Sequence, residues 1–107
     1  MSNETQLFVD LCLAMAVYNR DRSDVSRRAL REAQLAAEGR FGAMNGETDV
    51  ALMAALALCV EEGVMAVYWI VTPSARESAH LRVLTESYPE VVAAARAAVR
   101  SAIGGSR

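Results

Sequence analysis

Three groups of residues have types and spacings that could support chemistry. The first is Glu61-Glu62-Gly63, set in a run from Val50 to Val71 that is otherwise apolar at 19 of 22 positions. Carboxylates can act as acid and base, but consecutive residues point about 100° apart on a helix, which suits ion pairing better than a shared reaction site. The second is Arg20, Arg22, Arg27, Arg28 and Arg31, which with Asp21 and Asp24 give the segment a charge of +3. Guanidinium groups recognise phosphates and carboxylates in planar, bidentate geometry. The third is His80 with the two cysteines, Cys12 and Cys59. His80 has only Glu77 at helical spacing, and the cysteines match no zinc or redox pattern. Without a phosphate-cradling Gly loop or a nucleophile motif, the sequence points away from an enzyme and calls for no cofactor and no metal.

The stretch Asp24-Val25-Ser26-Arg27-Arg28-Ala29-Leu30 resembles, over about six residues, the recognition helix of bacterial helix-turn-helix repressors. That resemblance implies a DNA- or nucleotide-binding regulator using Arg20, Arg22, Arg27, Arg28 and Arg31. The Gly-containing turn and the short preceding helix of that motif are missing. The 107-residue chain is acidic, with net charge −2, and no aromatic residue is interleaved to stack on bases. Nucleic acid is therefore the lesser alternative, and a solvated face with local pairs such as Arg28 to Glu32 is expected.

The elements that position these residues are helical throughout. Asn3 and Gln6 form a candidate capping box for a first helix with Leu7, Leu11, Met15 and Tyr18 on one face. The polar run 19–24 either kinks or breaks it, and Ser23 or Asp24 can cap a second helix through Val25, Ala29, Leu30, Ala33 and Ala37 that stops at Gly39. Phe41 to Glu47 is a loop. Thr48 caps a long apolar central helix over about 49–72, which ends where Pro73 forces Thr72 out of the helical region. Ser74 with Glu77 caps a fourth helix to about Glu86. Ser87 then caps a last one that has Pro89 in its first turn, carries Val92, Ala95, Val99, Ala102 and Ile103 on one face, and stops at Gly104. The prediction is one all-α domain over 1–107, a compact bundle of four to five helices around the central one.

The central helix has two apolar sides. Val50, Met53, Leu56, Val60, Val64, Val67 and Val71 repeat at three- and four-residue steps and form the expected core stripe. Ala51, Ala55, Leu58, Glu62, Met65 and Trp69 occupy the other side, with Glu61 and Tyr68 at its edge. Glutamates seldom lie fully buried, so this second side faces water, an Arg or a partner. Leu58, Glu61, Glu62, Met65, Tyr68 and Trp69 are accordingly the expected partner-binding residues, since an apolar patch with a Trp and a charged rim is typical of interfaces.

A membrane span is disfavoured, because adjacent acidic residues at the centre of an inserting helix cost on the order of 2.5 to 3.5 kcal/mol each. Met1-Ser2-Asn3-Glu4 is no cationic signal start. The expectation is a cytoplasmic, non-catalytic regulatory protein, a homodimer, that acts by covering a surface of another protein, as an anti-activator or a phage-borne inhibitor does.

Overall fold

Ser2 opens the first helix, α1 (Asn3–Arg20), its Oγ accepting the Thr5 N–H at 3.2 Å. The cap thus lies one residue before the expected Asn3. Gln6, expected to close the box, donates instead to Asp10 at 2.7 Å. The computed structural model describes residues 2–41, 50–63 and 75–104.

Ser23 caps α2 (Asp24–Phe41), its Oγ accepting the Ser26 N–H at 3.2 Å. The Ser26 hydroxyl donates in turn to the carbonyls of Asp21 and Ser23. At the far end Arg40 of α2 pairs with Glu4 of α1, so the two helices lie antiparallel along their full length. Gly39 does not stop α2. The helix continues to Phe41, whose ring meets Phe8 and Tyr88 edge-on at centroid distances of 6.1 and 5.2 Å. Such aromatic contacts stabilise by about 0.5 to 1.5 kcal/mol each beyond area burial, enough to carry a helix past one glycine.

The central element, α3 (Val50–Glu61), begins under the carboxylate of Glu38, which accepts the N–H groups of Ala51 at 2.9 Å and Leu52 at 3.4 Å. A negative group at this end satisfies orphan donors and opposes the positive pole of the helix. Of the loop expected from Phe41 to Glu47, Phe41 belongs instead to α2, while 42–47 and the expected cap Thr48 lie outside the described residues. The single helix expected over 49–72 is not formed. The backbone leaves helical geometry after Glu61, and Gly63 adopts a left-handed conformation at φ 77°, the terminating position that glycine tolerates best.

The next described helix is α4 (Ala75–Ser87), and its expected cap Ser74 lies outside the described residues. In α5 (Pro89–Gly104), Pro89 is the first helical residue, where its missing N–H costs nothing. Tyr88 rather than Ser87 holds the cap position, its carbonyl accepting the Val92 N–H at 3.2 Å. Among the described residues the protein is an all-α bundle of five helices without strands. None of these helices is long and apolar enough to cross a membrane.

The core draws Phe8, Leu11, Cys12 and Met15 from α1, Leu81 and Leu84 from α4, and Val92, Ala95 and Val99 from α5. Against them α3 buries Ala51, Ala54, Ala55, Leu58 and Cys59 completely, while Met53, Leu56 and Val60 are only half-buried. The two sides of the central helix are therefore the reverse of the expected ones. Ala51, Ala55 and Leu58 form the inward stripe because short side chains let α1, α2 and α4 approach α3 closely. On α2, Val25 and Ala29 were expected to face inward but are exposed, and only Ser26 and Ala37 are buried. On α1 the face is turned by one residue, with Phe8 and Cys12 inside rather than Leu7 and Tyr18. On α5, Ala102 is exposed and Val91 takes a place in the core.

Leu58, at 0 % exposure, tests the reversed faces. Leu58→Ala should destabilise the isolated protein by about 2 to 5 kcal/mol in denaturant titration, the cost of a core cavity. A loss below about 0.5 kcal/mol, the value for an exposed site, would return Leu58 to the surface.

Candidate functional site

Two charged constellations stand out. The first closes the end of α3. Glu62 follows Leu58 by one helical turn and so continues the inward stripe, which leaves its side chain only 8 % exposed. Two guanidinium groups from successive turns of α5 hold it: Arg96 reaches it at 2.9 Å, and Arg100 donates through Nε at 2.6 Å. Arg96 also binds Glu61 at 2.8 Å. The hydrogen bond from Arg100, together with that from Arg96, holds the Glu62 carboxyl below the usual value of 4.5 although desolvation pushes the other way. Both glutamates are thus engaged within the chain. This arrangement locks α3 to α5, and it presents no carboxyl poised for proton transfer.

The second constellation lies on the α1–α2 hairpin. Antiparallel packing places Tyr18 of α1 beside Arg27, Arg28, Leu30, Arg31 and Gln34 of α2, and these side chains line an open groove of about 610 Å³. Arg22 stacks its guanidinium over the Tyr18 ring, 5.4 Å from the centroid. Arg27 holds Asp24 at 2.9 Å on the exposed rim. Among the described residues Arg28 and Arg31 form no ion pair, and the expected pair Arg28 to Glu32 is not made. Arg20 is exposed at the end of α1 and does not line the groove.

The fold therefore distributes the expected partner-binding residues unevenly. Leu58 belongs to the protein's own core, and Glu61 and Glu62 belong to its internal ion pairs. Met65, Tyr68 and Trp69 lie outside the described residues. The alternative basic set is brought together at one end of the hairpin, with Arg22, Arg27, Arg28 and Arg31 around Tyr18. The helix-turn-helix resemblance does not extend to geometry. That motif crosses its helices at about 90 to 120°, whereas here a full-length antiparallel pair is tied at both ends.

The remaining candidates are structural. Cys12 and Cys59 are free, buried thiols, and Cys59 donates to the Cys12 carbonyl at 3.6 Å. Burial, reinforced by the Cys59 hydrogen bond, pushes the Cys12 thiol well above its ordinary value, so it has little thiolate character. His80 is buried on α4. No metal-binding group of His, Cys, Asp and Glu occurs among the described residues. The residues missed from sequence are Arg96 and Arg100, although their i, i+4 spacing opposite two glutamates in an apolar run was a usable signal. Tyr18 and Gln34 joined the Arg set only through tertiary packing. The chain matches no protein-family model, no curated protein and no solved structure.

The clamp predicts a defined acid response. Because the folded carboxyl titrates below its usual value, its contribution is present above about pH 4.5 and is lost as pH falls through the folded value. Glu62→Gln should flatten the acid limb of the stability curve measured by urea unfolding. At neutral pH it should lower stability, because Arg100 loses its partner and Arg96 is left with Glu61 alone. An acid limb identical to that of the unaltered protein would remove Glu62 from this role.

Proposed function

We propose that this chain is a small cytoplasmic, non-catalytic regulator that works by docking on another protein and covering part of its surface. The docking element is the outward side of α2. One observation carries this assignment: Leu35, 60 % exposed, continues the helical line of Arg28 and Arg31 at steps of four and seven residues. Val25, 74 % exposed, stands beside that line. A row combining exposed aliphatic carbon with guanidinium groups matches the composition of interface centres, where Arg is enriched over other charged residues. The buried free thiols fit a reducing compartment.

A twofold pairing of α2 with α2 would set Arg28 and Arg31 against their own copies, and facing like charges oppose such a contact. The face therefore favours a different protein as its partner. A DNA- or nucleotide-binding role draws on the same guanidinium groups, but Asp24 on the rim and the net charge of −2 work against it.

Affinity purification from the cells of origin tests the docking element. A partner should co-purify with the unaltered protein and with Val83→Glu, a change at an exposed α4 position, but not with Leu35→Glu. Leu35→Glu should leave stability within about 0.5 kcal/mol, as expected of an exposed site. Equal recovery with all three proteins, or no partner with any, would overturn the assignment.

A further inference from the structure

Building on the docking function proposed above, we infer that the partner presents an acidic amphipathic helix, seated lengthwise in the groove between α1 and α2. The groove supplies three complementary features. Its apolar floor is the half-buried pair Tyr18 and Leu30. Arg28 and Arg31 stand along one side, exposed and without an ion pair among the described residues, with Arg27 on the same stripe. Leu35, 60 % exposed, lies one helical turn beyond Arg31, just outside the residues that line the groove.

From Asp24 to Leu35 the row rises through eleven steps, or about 16 Å at 1.5 Å per residue. A partner helix of about three turns matches that length, with carboxylates at i and i+3 or i+4 facing Arg28 and Arg31 and an apolar side chain against Leu35. The groove already shows how it treats a carboxylate, since Arg27 holds Asp24 at 2.9 Å at its entrance. Counting Arg22, Arg27, Arg28 and Arg31 against Asp24, the site carries +3, which selects an acidic occupant. Single-stranded nucleic acid is the competing anion. It is less well served because the one aromatic ring at the site is half-buried and already carries the Arg22 guanidinium over one face.

The test uses the full chain and a synthetic peptide of about 15 residues, long enough to hold a helix, with Glu at i, i+3 and i+7 and Leu on the adjacent face. Amide chemical shifts should move at Tyr18, Leu30, Arg31 and Leu35. Binding should weaken at least about tenfold in Arg28→Ala plus Arg31→Ala, whose circular dichroism should match the unaltered protein. The reversed pair Arg28→Glu plus Arg31→Glu should instead bind a peptide carrying Lys at the same positions. Shift changes elsewhere, indifference to the double substitution, or tighter binding of a dT oligonucleotide with a steep salt dependence would overturn the inference. Loss of a native partner on Leu35→Glu, with no response to the acidic peptide, would leave the docking function standing and remove only the acidic helix.

Discussion

A carboxylate at the end of an apolar helix can be held against a core only if cations are waiting for it, and Glu62 meets that condition twice. Desolvating an ion costs several kcal/mol unless paired charges and hydrogen bonds offset it. Arg96 and Arg100, one turn apart, supply both, and in doing so fix α5 against the end of α3. The pairing explains why Leu58, one turn earlier on the same line, can lie inside rather than on a partner's surface. It also accounts for the termination of α3. Glu62 donates its N–H to the Leu58 carbonyl at 2.9 Å, and Gly63 then turns the chain away.

How far the sequence disclosed this depends on the element. The helical character, the break near residues 21–23 and the start at Pro89 were legible because Ser, Pro and apolar periodicity act locally. The faces of α3 were not. A helix apolar on every side has no preferred inward direction of its own, and the choice between Met53-Leu56-Val60 and Ala51-Ala55-Leu58 is made by neighbours. Small side chains won because they let three other helices come close. The Glu38 cap was invisible for a related reason, since its carboxylate arrives from a separate helix.

The Arg group shows the same division. Its charge and spacing were evident along the chain, but its surroundings were set by hairpin geometry. Only antiparallel packing of α1 on α2 brings Tyr18 under Leu30 and aligns Gln34 with the guanidinium row.

The construction of α2 suits it to the docking role proposed for it. It places only Ser26 and Ala37 fully in the core, little for a helix of 18 residues. Leu30 and Ala33 pack partly buried against that core, and further contacts hold the ends. Ser23, Ser26 and Asp21 fasten the start, while Glu38, Arg40 and Phe41 fasten the finish to α3, α1 and the Phe8–Tyr88 aromatic cluster. A helix tied at both ends is stiff between them, so a ligand that lies along it meets side chains already in place and loses less entropy on binding. The inner side of α2 packs through Leu30, Ala33 and Ala37, and the terminal contacts add to their hold. Its outer side is then free to carry Val25, Arg28, Arg31 and Leu35 in an arrangement that the stability of the bundle does not require.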